Sequence, residues 1–182
     1  ISERNQAEEK IKDKNEQFET IIKGANLGWW DWNIPSGDKI YNDILVENLG
    51  YKLSEIKPHI KWWEDKIHPD DAEQVSIDLQ EHFKGKTEFY ENKHRLRTKT
   101  GQWKWFLDYG KVVERDSKGN SIRMIGTLRD IDFEERAKEK INTSLQQIKV
   151  INANTPNIIW KSDIDKDGNF KDTYISEAVD QF

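Results

Sequence analysis

The chain of 182 residues contains no cysteine, which excludes disulfides, thiolate metal sites and thiol nucleophiles and fits a cytoplasmic setting. No apolar run approaches the ~20 residues needed to cross a bilayer, and no signal-peptide pattern is present, so no membrane contact is expected in this segment. Positive charge is not in surplus either: 29 Lys and Arg stand against 34 Asp and Glu. No basic face emerges to neutralise phosphates, which argues against nucleic acid as a partner. Gly-rich phosphate loops, His-Glu-x-x-His pairs and Ser elbows are missing, and the four histidines (His59, His68, His82, His94) are scattered; the chain carries no catalytic signature. Hydrophobic residues make up only 35%, equal to the charged share, as when long solvated helices dilute a smaller core. The chain opens on Ile1 and closes at Phe182 inside a strand-like pattern, and is expected to be a piece of a longer protein.

What is present is eight tryptophans and a stretch from Phe89 to Ile131 that reads as three strands separated by 98–101 (TKTG) and 116–120 (DSKGN). Such an antiparallel meander must bury one face, so the residues before it should supply a cover. Residues 27–34 and 39–42 read as a hairpin around the turn at 35–38, and residues 42–67 as short helical pieces. Pro69 suits the first position of a helix that ends before Gly85, with Asp70 and Asp71 at its positive end and Ala72, Val75, Leu79 and Phe83 as its apolar stripe.

Two charged helices flank this unit. In residues 1–23 a sparse line of Ala7, Ile11, Phe18, Ile21 and Ile22 fits either a weak coiled-coil seam or a helix lying on its own domain. In 132–153, Asp132 and Glu135 form a capping-box pattern, and Ala137, Ile141, Ser144, Ile148 and Ile151 fall on seam positions. From 154 the chain repeats the hairpin design, Trp160 standing to Asp163 and Gly168 much as Trp30 stands to Asn33 and Gly37. Residues 163–168 (DIDKDG) have calcium-loop spacing. Tyr174 stands where a bidentate Glu is needed, however, so a plain hairpin turn is preferred and no metal site is expected.

By the period of two, Tyr90, Asn92, His94 and Leu96 share one strand face. If Leu96 faces the core, Asn92 and His94 point between sheet and helices. There they either line a small-molecule pocket with Trp32 and Trp105 or bond to buried backbone or water.

Five motifs in order, WDWNIPSGDKIYND (30–43), NLGY (48–51), IHPDD (67–71), RLRTKTGQWKWF (95–106) and VVERDSKGNSIRMIGTLRDID (112–132), resemble the PAS sensory domain, in the subclass with the PAC motif. Asp132 replaces the Thr of the family's Asp-Ile-Thr ending, and Thr100-Gly101 replaces its Asp-Gly turn. The resemblance implies an α+β PAS fold over 24–131, a five-stranded antiparallel sheet with helices packed on one face and amphipathic helices at each end, followed at 154–182 by the truncated start of a second PAS domain. It further implies a cytoplasmic module of a multidomain sensor, a histidine kinase or else a cyclase or chemoreceptor. The signal would pass through Asp130, Ile131 and Asp132 into the exit helix and change coiled-coil pairing in a homodimer; the parent protein could be membrane-anchored. A ligand-free dimerisation spacer is the rival reading. The cofactor is left open. Haem members place an axial ligand on the helix that carries His82, but His82 beside Glu81 and Lys84 reads as solvated, which disfavours haem. The absence of cysteine excludes a covalent flavin adduct.

Overall fold

The structure, a computed structural model, describes residues 3–154, 160–166 and 170–175. The chain divides into two units, residues 1–132 and 133–182.

The first unit opens with helix α1 (Glu3–Gly24), followed by strands β1 (Gly28–Asn33) and β2 (Lys39–Tyr41). Helices α2 (Asp43–Asn48) and α3 (Ile60–Glu64) flank a single 3₁₀ turn at Leu53–Glu55, and α4 (Pro69–Phe83) leads to β3 (Tyr90–Arg97), β4 (Trp103–Arg115) and β5 (Ser121–Asp130). The five strands form one antiparallel sheet in the order β2-β1-β5-β4-β3. The chain leaves the sheet at β2 and re-enters at the opposite edge, so α2 to α4 cross the face between, as the meander's need for a cover predicted.

Strand alternation decides which residues enter the core. The inner face carries Trp30 and Trp32 from β1, Tyr41 from β2, Leu96 from β3, Phe106 from β4, and Met124 and Leu128 from β5, packed against Leu45, Val46, Leu49, Ile60, Trp63 and Val75 of the helices. Removing each such side chain from water stabilises the fold by about 1.5–3 kcal/mol. Trp30 lies across the sheet where Gly126 of β5 is its register partner and Gly110 of β4 is Gly126's partner. A β-carbon at Gly110 would come within 2.7 Å of the indole, and one at Gly126 would collide with both the indole and the Tyr109 carbonyl.

Helix α4 starts as its sequence predicts: Pro69 sits in the first turn and His68 Nδ1 accepts the Asp70 N–H (3.2 Å). Its stripe is narrower than expected. Val75 is buried and Leu79 and Phe83 are half-buried, but Ala72 is exposed. His82 of the same helix is buried instead. Asp71 turns to β3, where its carboxylate accepts from the Arg95 backbone N–H (2.8 Å) and from the guanidinium (2.7 and 2.9 Å), tying helix to strand.

Along α1, Ile11, Phe18 and Ile21 are exposed (61, 57 and 67%) and Ile22 is buried. Asn15, Phe18 and Glu19 of α1 nevertheless line a cleft with Trp29, Asn42 and Ile44. In the second unit, α5 (Asp132–Asn154) leaves Ile141, Ile148 and Ile151 exposed, and β6 (Trp160–Ile164) pairs with β7 (Phe170–Ile175) as an antiparallel hairpin. Asp167 and Gly168 of the calcium-loop pattern, and residues 155–159 and 176–182 of the expected second domain, lie outside the described residues.

Candidate functional site

The inner face is not uniformly apolar. Tyr90, Asn92 and His94 of β3 are all buried on it. Two charged residues that the sequence reading passed over join them: Lys39 of β2 (2% exposed) and Asp108 of β4 (1% exposed). Their placement follows from the same period of two. Lys39 is the cross-strand partner of Trp32 and shares a face with Tyr41, while Asp108 is two residues from Phe106 and opposite Asn92.

The Lys39 ammonium lies 4.1 Å from the centre of the Trp30 ring and 4.5 Å from that of Trp63, with Trp32 and Tyr41 within 6 Å. This aromatic setting attracts a cation but supplies no hydrogen-bond acceptor. Among the described residues no carboxylate is within ion-pairing distance of it. Burial pulls the Lys39 pKa down to about 8, with Asp108 and Glu64 pulling the other way. Burial likewise lifts Asp108 to about 6, opposed by Lys39 and by the Trp30 Nε1–H that it accepts at 2.8 Å.

A relay fixes His94. The Asp78 carboxylate accepts from Asn92 Nδ2, which turns Asn92 Oδ1 towards His94 Nδ1 (3.0 Å). The proton of the neutral ring therefore sits on Nδ1, and Nε2 presents a lone pair. Burial first, and the Lys39 charge second, hold the His94 pKa down to about 3. The ring packs edge-on against Trp63 (centroids 5.4 Å apart).

Four buried polar atoms here lack a hydrogen-bond partner: Trp32 Nε1, Tyr90 Oη and His94 Nε2 on the sheet's inner face and Trp63 Nε1 on α3 packed against it. Asn48 Nδ2 on α2 is a fifth among the described residues. Buried polar groups are ordinarily satisfied, so this cluster holds hydrogen-bonding capacity that no described protein group takes up.

Two sequence expectations need correction. Trp105 does not belong to this wall: its register partner is Arg95, and the residues that face inward are Phe106 and Asp108. Its ring instead lies under the Arg95 guanidinium (5.1 Å). His82 is not solvated but 3% exposed. Its Nε2 accepts the Val112 N–H (3.0 Å) and its Nδ1 meets Thr87 (3.1 Å), so both ring nitrogens are spent on holding β4 and the loop after α4. Burial lowers its pKa. That arrangement leaves no nitrogen for a haem iron.

The end of β5 is stitched to β4. Phe106, the cross-strand partner of His94, is also paired with Asp130. Asp130 Oδ2 accepts from Lys104 (2.9 Å) and its Oδ1 accepts the Asp132 N–H (2.9 Å). The Ile131 N–H donates to the Trp105 carbonyl (3.0 Å), and Asp132 Oδ1 accepts the Trp105 N–H (3.2 Å). Ile131 itself is buried. Of the three residues expected to form the junction, Ile131 and Asp132 therefore hold both backbone groups of Trp105, and Asp130 holds Asp132 in turn.

Residues 40–128 match the protein family described as PAS fold. The chain is 30% identical over 102 residues to hybrid signal transduction histidine kinase A of Dictyostelium discoideum, covering 52% of this chain and 5% of that protein. It is 23% identical over 168 residues to the two-component sensor PprA of Pseudomonas aeruginosa, covering 88% of this chain and 17% of that one. The chain thus spans a small part of these curated relatives. Among solved structures, a sensory box histidine kinase/response regulator from Burkholderia thailandensis superposes with a TM-score of 0.66 at 27% identity, over 73% of this chain and 98% of the other.

Proposed function

We propose that the PAS fold of this chain is the sensory module of a larger signalling protein, in which a small molecule held against the inner wall alters how Asp130, Ile131 and Asp132 hold the exit helix. The observation that carries this reading is the set of four unpartnered buried polar atoms beside the Lys39 ammonium, which has Asp108 and Glu64 in its field but no carboxylate at ion-pairing distance. The backbone continuity from His94 through Phe106 to Trp105 and Asp130 offers a route by which a strain at the wall reaches the junction. Such a relay needs a two-state element whose balance the ligand biases, and the clamp on Trp105 is that element here.

The names of the matched proteins support a sensor histidine kinase as the parent; in this reading the parent acts in a cytoplasmic phosphorelay, with its catalytic parts outside this chain. No described helix is long and apolar enough to cross a membrane. The exposed lines on α1 and α5 support homodimerisation through coiled-coil pairing. The β6–β7 hairpin, with its likeness to β1–β2, supports a second PAS domain, and the strands from 95 to 131 a PAC motif. Asp130→Ala in the full-length parent should abolish the dependence of autophosphorylation on signal while circular dichroism stays unchanged; an unaltered response would sink the relay.

A second reading, a dimerising spacer that binds nothing, draws on the same exposed α1 line. Native mass spectrometry of protein purified from its own source, with an absorption spectrum, separates the two: a stoichiometric small molecule favours sensing, and its absence favours the spacer.

A further inference from the structure

The unpartnered groups differ in kind, and the difference specifies what they would bind. An indole N–H can only donate, and an ammonium donates three times. Trp32 Nε1, Trp63 Nε1 and Lys39 therefore make a donor side, held together by the cross-strand pairing of Trp32 with Lys39 and by the contact of Lys39 with the Trp63 ring. A neutral carbonyl offers two lone pairs to these donors; a carboxylate offers about four and also supplies the charge that the Lys39 ammonium lacks at short range. His94 Nε2 is the opposite case. With Nδ1 committed to Asn92 it can only accept, and its ring touches that of Trp63. Asp108 adds a second acceptor with one bond from Trp30. A plain carboxylate would leave this acceptor side unanswered.

Resting on the reading that the inner wall holds a ligand, we propose that the ligand is a small organic carboxylate that also carries a hydrogen-bond donor, its carboxylate received by Lys39, Trp32 and Trp63 and its donor by His94. The indole N–H groups that make the site also report on it. In two-dimensional ¹⁵N–¹H spectra of the whole chain, with Trp32 and Trp63 assigned from Trp→Phe variants, the probe is glycolate at constant ionic strength. Glycine replaces the hydroxyl by an ammonium and so separates the two donor types. Glycolamide keeps the hydroxyl and removes the charge.

The expected result is a saturable shift of the Trp32 and Trp63 indole signals with glycolate or glycine, at least tenfold weaker with glycolamide, and lost in Lys39→Met. Because Lys39→Met removes a buried ammonium, it should fold; if it does not, the unaltered chain gives the same information. From about pH 7 to about pH 10 Lys39 gives up its proton, Asp108 staying ionised and His94 staying neutral, with Glu64 the other carboxylate whose field reaches Lys39, so the glycolate response must fade. Equal response to glycolate and glycolamide, no response to glycolate or glycine, or a response that survives the loss of the Lys39 charge overturns the proposal. If the acids are silent while native mass spectrometry finds a bound molecule, the chemical class falls and the sensing reading stands. If neither finds a ligand, both fall.

Discussion

On the outer face of the sheet, Arg123 of β5 clasps Asp31 of β1 (2.9 Å), Lys111 reaches Glu88 (3.3 Å) and Arg95 lies over Trp105. These charges are matched locally, at a surface where water could have served as well. One residue along each strand, on the inner face, the polar groups are out of water's reach and several are unmatched. The same alternation that gives the outer face a solvated lattice of ion pairs gives the inner face an interior with unspent hydrogen-bonding capacity. A polar residue in a strand is therefore informative only once its face is known.

Substitutions can break this contrast, beginning with the packing that creates the inner face. Gly126→Ala forces the Trp30 ring off the sheet and should cost about 3 kcal/mol, seen as a lower urea midpoint. A neutral outcome would mean that the ring is not seated on the backbone. Trp30→Phe puts a smaller ring in the seat and withdraws the donor from the buried Asp108 carboxylate, the lost donor alone costing about 2 kcal/mol by the same measurement. Trp32→Phe withdraws a donor that has no partner and should cost much less; equal losses would show that the two indoles are equivalent.

Acid tests the same face. His94 has a pKa of about 3 in the fold against 6.5 for the free side chain. The unfolded chain therefore binds a proton that the folded chain refuses, and stability is present above the unfolded value and lost as the pH drops towards the folded one. The slope approaches about 1.4 kcal/mol per pH unit. Asp108 opposes it: raised to about 6, it is protonated in the fold before it is in the unfolded chain, which offsets part of the loss at lower pH. Urea unfolding should thus weaken most steeply just below neutrality, and His94→Leu should flatten the profile. An unchanged profile would place the imidazole in water. The smallest effect belongs to the outer face, where Arg123→Ala should leave the urea midpoint where it was, since an exposed ion pair gains little over its hydration.

Much of the fold was readable from the sequence because its turns and helix ends are marked. The hairpin, the meander and the start of α4 at Pro69 lie where their punctuation placed them, and the fold is the PAS fold that the resemblance of the five motifs implied. The site was readable where polar and apolar residues alternate cleanly, as in β3, where Leu96 fixes the direction of Tyr90, Asn92 and His94. It was not in β4, whose Trp103, Trp105, Phe106 and Leu107 put bulky apolar residues on both faces. There the register with β3 decides, and it sends Trp105 outward. Lys39 and Asp108 went unnoticed because charge is taken as a sign of exposure. Counting by twos from Tyr41 and from Phe106 would have found both. His82 shows the converse: its charged neighbours along the helix say nothing of the Val112 N–H that it meets across space.

The seat of Trp30 on Gly110 and Gly126 also bears on which sequences this fold can accept. The indole and the two glycines share one volume, so a smaller residue at position 30 frees room for a β-carbon at Gly110, whereas one at Gly126 still meets the Tyr109 carbonyl. A smaller residue at 30 leaves a void that a β-carbon could partly fill. Changes at 30, 110 and 126 should therefore be strongly non-additive, each harmful alone and partly compensating in pairs. A chain drifting through substitutions would have to cross that ridge in two coordinated steps.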